Sequence, residues 1–501
     1  MTNASLKKRL IELKSLGFFD NLIIKRGIEK EFFRVNNNGY ISKKSHPESL
    51  GSALTNKFIT TDFAEAQVEL VTPKFENIND LYDFLYSLHV FVAQNINKNE
   101  MLWPFSMPPE IKDESDINIG FYHKSNIGLL KHVYRRGLKV RYGPTMQCVS
   151  GMHYNFSIET KSLEIITKSN NQKDIDAAYL GLIRNFKRLF WFILMEFGQT
   201  NVVNNTFVKG RKHKLEKFNS NDLYLKDSTS LRMSDIGYQS KAQKNLNIKY
   251  NSLEEFLKKI RNAIKIPYKD FDKRGLLDPD NEYQQISSGI IQIENEYYDS
   301  IRPKRSASNN LRPYNLLKKF GIEYLEIRGL DISPDDITGI SIHQMKFIDL
   351  FLIYCLIKES PKMSDLEKEI IDSNDMIAIY HGRNKNTEIF MNEATINIFD
   401  ARNDVIKELR LIASFFENKD SLLESIDYIV NSEKGKLPNK DFHSFSLEKA
   451  KKNTDIFRSD NSRDLDSIKK EAELSLDELN KNPNNSKEEM NDYVKNYNSN
   501  L

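Results

Sequence analysis

Two cysteines in 501 residues, Cys148 and Cys355, are too few for a disulfide framework, and neither has neighbours at metal-ligand spacing. That disfavours zinc and leads to the expectation of a reducing, cytoplasmic setting. Excess charge of one sign is also missing. Lys and Arg number 73 against 70 Asp and Glu, a formal charge of +3, which argues against a nucleic-acid partner. Apolar runs such as Leu189 to Met195 are far too short for a bilayer. The opening residues Met1 to Arg9 lead into no apolar secretory segment, so no membrane partner is expected. Neither G-x-x-x-x-G-K-[ST] nor G-x-G-x-x-G occurs, so a P-loop enzyme and a Rossmann cofactor do not fit. There is no internal repeat.

What is present is a set of short stretches with charged groups on one side. In Arg26-Gly27-Ile28-Glu29-Lys30-Glu31-Phe32, read as a strand, Glu29 and Glu31 point to the same face. Two such carboxylates repel unless a cation sits between them or one stays protonated. In the strand ending at Pro73, Glu69 faces opposite to Val68 and Leu70. Met152 to Ser157 alternates, with His153, Asn155 and Ser157 on the polar side. Ile291 to Tyr298 reads as a strand sharing Gln292, Glu294, Glu296 and Tyr298 on one side, and Tyr324 to Arg328 as one presenting Glu326 and Arg328. Arg302-Pro303-Lys304-Arg305 reads as a basic loop between these two.

Helices are expected over 5–16, 77–98, 174–197 and 252–265, and almost throughout from 341. Residues 103 to about 128 read as a long loop of the kind that forms substrate walls. The length allows one large domain or two fused ones. The expected division is 1–432 for the catalytic part and 433–501 for a polar helical extension with a disordered end. Five charged strand faces imply a sheet curved around a charged cavity, since a flat sheet buries one face. Carboxylates with a single imidazole suit hard divalent cations, Mg²⁺ or Mn²⁺, held partly by a nucleotide's phosphates.

Arg26 to Glu31, His46 to Pro73, Trp103 to Pro108, Gln147 to Ser157, Ser230 to Tyr238, Ile301 to Arg305 and Gly321 to Arg328, in that order, resemble the proteobacterial glutamate–cysteine ligases. The resemblance runs from about residue 20 to 355 and fades beyond. It implies an α+β fold like that of glutamine synthetase: a twisted, mostly antiparallel sheet forming a funnel, surrounded by helices. It also implies the partners, L-glutamate, L-cysteine and ATP, in a monomeric enzyme of glutathione biosynthesis. The γ-carboxylate of glutamate is phosphorylated by ATP, and the amine of cysteine then displaces phosphate to give γ-glutamylcysteine.

The same resemblance assigns two or three Mg²⁺ or Mn²⁺ ions. Glu31, Asp62 and Glu69 would hold one, and Glu29, His153 and Glu326 a second, with Glu29 and Glu326 shared with any third. The odd spacing of Asp62 and Glu69 puts Asp62 in the turn before the strand. Arg232 and Arg328 would clamp the phosphoryl group or the glutamate carboxylate. Arg302, Lys304 and Arg305 would touch ATP. Phe63, Tyr134 and Leu138 would wall the thiol of cysteine, with Gln147 beside them and Tyr238 and Tyr298 bonding its carboxylate. Two other readings remain: a ligase of the same fold joining glutamate to another amine, and a nucleotide-binding relative without catalysis. The second predicts gaps among the metal ligands, and none is seen.

Overall fold

Strand parity in β1 (Ile24–Asn36), the centre of the main sheet, puts Glu29 and Glu31 on one face and Ile28 and Phe32 on the other. The computed structural model describes residues 3–237, 239–306, 311–435, 437 and 441–501. After β1 come β2 (Ile59–Thr61), β3 (Gln67–Val71), β4 (Glu100–Leu102) and β5 (Met152–Ile158). A separate small sheet holds β6 (Val202–Asn204), β7 (Glu216–Lys217) and β8 (Asp222–Tyr224). The main sheet is completed by β9 (Ile301–Lys304) and β10 (Tyr324–Leu330), and β11 (Glu388–Met391) with β12 (Ala394–Asn397) forms an isolated hairpin. The main sheet runs β2-β3-β1-β5-β10-β9, with β4 on the far end of β1. Every pair in it is antiparallel.

On the back of the sheet Ile28, Phe32, Val68, Leu70, Tyr154, Phe156, Leu325 and Ile327 merge into one core with the helices Ile78–Asn95, Gln172–Arg188 and Ile342–Ile357. Covering one face with helices leaves only the other for water and substrates, and this is the α+β arrangement expected. The helix ends are set locally. Asn171 accepts the Asp174 N–H at the start of Gln172–Arg188, and Ser341 with Gln344 forms a reciprocal capping box for Ile342–Ile357. Among the described residues no helix is long and apolar enough to cross a membrane.

Four expectations need correcting. Residues 174–197 are two helices, Gln172–Arg188 and Phe190–Phe197, broken at Leu189; in a segment buried all round, periodicity cannot show where the axis turns. Residues 291–298 are not a strand. They hold one 3₁₀ turn, Glu294–Glu296, because Glu296 folds back to accept the Gln292 N–H at 2.7 Å and pairs with Arg141 at 3.0 Å. Arg302 to Lys304 belong to β9, paired with β10, and are not loop. Finally, the last residues form the helix Lys487–Ser499, capped by Ser486 and Glu489, where a disordered end was expected.

The two preceding helices also dock on the body. In Phe442–Ser459, Thr454 Oγ1 accepts the Leu102 N–H and Phe457 stacks on His89. In Asp466–Leu479, Ser475 Oγ accepts the Ser52 N–H.

The back face also carries a buried polar trio. Arg26 Nε donates to Asp349 Oδ2 at 2.5 Å, and Tyr154 donates its hydroxyl to Asp349 Oδ1 at 2.8 Å. Burial raises the Asp349 carboxyl, and Arg26 opposes the rise. Removing one member of such a pair strands the other charge in the core. Asp349→Ala is expected to lower unfolding stability by about 3–5 kcal/mol, read from the urea midpoint at unchanged slope. A loss below about 1 kcal/mol would show that water or other carbonyls replace the carboxylate.

Candidate active site

The front face of the sheet is built by register. Glu31 of β1 stands opposite Glu69 of β3, and Glu29 opposite His153 of β5. On the other side of β5, Glu326 of β10 stands between Asn155 and Arg302. Directly opposed residues on one face have side chains in contact range, so four separate stretches of chain, β1, β3, β5 and β10, converge on one row. Asp62 lies in the turn between β2 and β3. The row floors a cavity of about 1130 Å³ that also includes Phe63, Tyr134, Leu138, Gln147, Tyr298 and Arg328.

The two ends of the row differ electrically. Glu326 is surrounded by cations: Arg302 at 2.6 Å, Lys304 at 3.3 Å and Arg328 at 3.3 Å. Burial alone would raise its carboxyl, but these three cations hold it well below the usual range. At the other end, burial and then the Asp62 charge push Glu31 up to about 8, despite Arg232, Arg328 and the Gly151 N–H. Burial followed by Asp62, Glu29 and Glu31 raises Glu69 well above its ordinary value. Asp62 is also raised by burial, with Arg135 opposing. Burial and then Arg328 lower His153 to about 4, which keeps the imidazole neutral at pH 7.

Ligand atoms of Glu29, Glu69 and His153 lie within 4.8 Å of one another. Among the described residues His153 Nε2 has no hydrogen-bond partner, and it stands 3.5 Å from Glu31 Oε1. A neutral imidazole with an open ring nitrogen, among carboxylates short of countercharge, fits a divalent cation held by oxygens and one nitrogen.

Most residues expected from the sequence come together here. Tyr298 donates its hydroxyl to Gln147 Oε1 at 3.2 Å, and Gln147 Nε2 is buried without a hydrogen-bond partner among the described residues. Three residues are placed otherwise or not at all. Arg232 does not line the cavity: it lies enclosed beside Gly151, donating to the Arg328 carbonyl at 3.0 Å and the Leu330 carbonyl at 3.2 Å, with Asp331 at 3.7 Å. Arg305 turns away to the Phe320 and Gly321 carbonyls and lines a neighbouring cleft of about 600 Å³. Tyr238 lies outside the described residues. The structure also supplies residues that sequence reading missed. The helix Asn126–Tyr142 sends Lys131 and Arg135 into the cavity beside the expected Tyr134 and Leu138, and the spacing of these four on one helix face was the available signal. Arg135 donates to the Asp62 carbonyl, and burial followed by Arg135 lowers Lys131 to about 8.

The profile of the family described as glutamate–cysteine ligase matches residues 18–377. The chain belongs to the glutamate–cysteine ligase family. A curated glutamate–cysteine ligase from Hahella chejuensis is 42% identical over 371 residues, 73% of this chain and 70% of that protein. One from Buchnera aphidicola is 41% identical over 407 residues, 79% of this chain and 78% of its own. A solved glutamate–cysteine ligase from Francisella tularensis, in complex with AMP, superposes with a TM-score of 0.89 at 30% identity. It covers 96% of this chain and 99% of its own. A bifunctional glutathione synthetase from Pasteurella multocida, at 21% identity and TM-score 0.61, shares the fold over 94% of this chain and 53% of its own. The family activity is the ligation of glutamate to cysteine, forming γ-glutamylcysteine.

Gly151 precedes β5, and a Cβ there would stand 2.1 Å from Arg232 Nη2. Arg232 is fully enclosed, so its guanidinium has little room to retreat. Gly151→Ala is expected to lower kcat/KM by roughly a hundredfold, the scale of an ångström-sized misplacement. Steady-state kinetics beside a thermal melt would check it, and near-normal turnover would show that Arg232 can move.

Proposed function

We propose that this ligase works with ATP and Mg²⁺ or Mn²⁺ through a γ-glutamyl phosphate, and that the charged row is where the phosphoryl group moves. The observation that carries this reading is the convergence of Glu29, Glu69 and His153, beside Glu31 and Asp62, in front of an apolar recess. Glu29, Glu31, Asp62, Glu69, His153 and Glu326 would hold two or three ions. When bound, the ions offset the negative charge of triphosphate and carboxylates brought together. Arg328, at the cationic end, would steady the transferring phosphoryl group. Arg302 and Lys304 orient Glu326 and add positive potential there, and Arg232 fixes the β10 backbone that carries Arg328.

The γ-carboxylate oxygen of glutamate bonds to the terminal phosphorus and ADP leaves. The cysteine amine then bonds to the acyl carbon of the γ-carboxyl group, that carbon's bond to the phosphate oxygen breaks, and phosphate departs as the amine loses a proton. The nucleoside would lie in the neighbouring cleft, which shares Glu29 with the funnel and is lined by Tyr324 and Arg305. The AMP complex of the Francisella relative supports a nucleotide site. We place the enzyme in the cytoplasm, as a monomer; the two buried, unpaired cysteines fit a reducing compartment.

The test is a stoichiometric assay with glutamate and cysteine supplied singly and together. One ADP and one phosphate per dipeptide are expected, and only with Mg²⁺ or Mn²⁺ present. Full activity in excess chelator would overturn the metal assignment.

Phe63, Tyr134 and Leu138 form the recess for the thiol, with Gln147 and Tyr298 near the cysteine carboxylate. An apolar recess selects by size, and one methyl-sized difference is worth only about 1–3 kcal/mol. 2-Aminobutyrate should therefore be accepted with a modest loss of kcat/KM. Serine should do worse, since its hydroxyl would be buried without a good partner. Comparing kcat/KM for the three amino acids checks this, and serine outperforming 2-aminobutyrate would mean that the recess is polar.

A further inference from the structure

The helix Lys487–Ser499 lies far beyond residue 377, where the family match ends, yet it reaches the funnel. Met490, Tyr493, Val494 and Tyr497 form one stripe at helical spacing. Met490 and Val494 are buried against Leu130, Val133 and Ile286, with Tyr134, Tyr493 and Tyr497 packed on the same cluster. Tyr493, Asn496, Tyr497 and Asn500 line the cavity that holds the carboxylate row.

The helix is tied to both walls. On the thiol side, Asn126 N–H donates to Asn485 Oδ1 at 2.8 Å, and Asn485 N–H donates to the Lys124 carbonyl at 3.0 Å. On the opposite side, Arg312 donates to the Tyr497 carbonyl at 2.7 Å and lies 3.9 Å over the Tyr497 ring, while Glu294 holds it at 2.9 Å. Asn315 adds a bond to the Asn500 carbonyl at 2.7 Å.

We propose that this C-terminal helix is a wall of the reaction chamber that keeps water from the γ-glutamyl phosphate, with Tyr497 as its positioning residue. The inference rests on the acyl-phosphate reading above. A γ-glutamyl phosphate has two fates. If cysteine reacts, an amide forms. If water reacts, its oxygen bonds to the acyl carbon of the γ-carboxyl group, that carbon's bond to the phosphate oxygen breaks, and phosphate leaves. Glutamate is then regenerated with release of a proton, and ATP is hydrolysed without product. Excluding water is a recognised task of closed active sites, and the ring of Tyr497 is a large apolar surface on the side facing the thiol wall. Its hydroxyl, raised by burial and then by the Glu294 charge, stays neutral.

The experiment measures ADP released per γ-glutamylcysteine formed, with cysteine varied at saturating ATP and glutamate. The wild-type ratio is expected to be one. Tyr497→Ala, and separately a chain ending at Asn485, should raise it to roughly two or more, with a higher KM for cysteine. Tyr497→Phe, which keeps the ring, should return the ratio towards one. A merely structural helix would lower kcat without moving the ratio, so a ratio of one in Tyr497→Ala overturns this inference alone. A Tyr497→Ala chain that circular dichroism shows to be unfolded also overturns it, by making the residue a core one. Wild-type protein that forms no dipeptide would overturn the ligase reading, and this inference with it.

Discussion

Carboxylates of like charge held side by side in a nearly dry row are the constraint around which this protein is arranged. Glu31, Glu69 and Asp62 are all raised by burial, and each feels the charge of other members of the row. At the opposite end, Glu326 is satisfied by Arg302, Lys304 and Arg328. One end of the funnel is therefore short of positive charge and the other is rich in it. On the proposed mechanism, bringing anionic glutamate to anionic triphosphate would use both: a place for cations at the acidic end, and fixed cations where phosphoryl charge moves.

The sheet can carry this strain because its other face is stable. Apolar residues of β1, β3, β5 and β10 share a single core with the surrounding helices. Polar groups buried on that side include the paired trio Arg26, Asp349 and Tyr154. Lys30, between Glu29 and Glu31 in sequence, points to the back and lies 2.7 Å from His89 Nε2. Burial lowers its amine to about 7, with Asp336 opposing. Its charge is thus kept off the front of the sheet, which helps explain why the row stays so acidic.

The walls come from segments distant in sequence. One side is the helix Asn126–Tyr142, whose Lys131 and Arg135 approach the acidic end. The other includes Arg312, which links Glu294 to the C-terminal helix. Through these links the polar tail, with little apolar surface of its own, becomes part of the chamber.

Much of this was legible in the chain itself. Period-two alternation puts Glu29 with Glu31, and His153 with Asn155, on one face whatever the strands later pair with, because side-chain parity is a property of the backbone. The α+β class and the ligase family followed from motif blocks spread over two-thirds of the chain. What the sequence could not decide was pairing. Gln292 to Tyr298 alternates as well as a true strand, but no neighbour offers it a ladder, and Glu296 is drawn instead to Arg141. Arg302 and Lys304 read as loop because their role as partners of Glu326 exists only once β9 lies against β10. The helix Lys487–Ser499 looked too polar to order itself, and its Met490, Tyr493, Val494 and Tyr497 stripe acquired a purpose only against Leu130 and Val133. Alternation and helical spacing are local and survive in one dimension. Ladder partners, countercharges and the burial of a thin apolar stripe are supplied by other segments of the chain, some of them hundreds of positions away, and only the tertiary structure brings them.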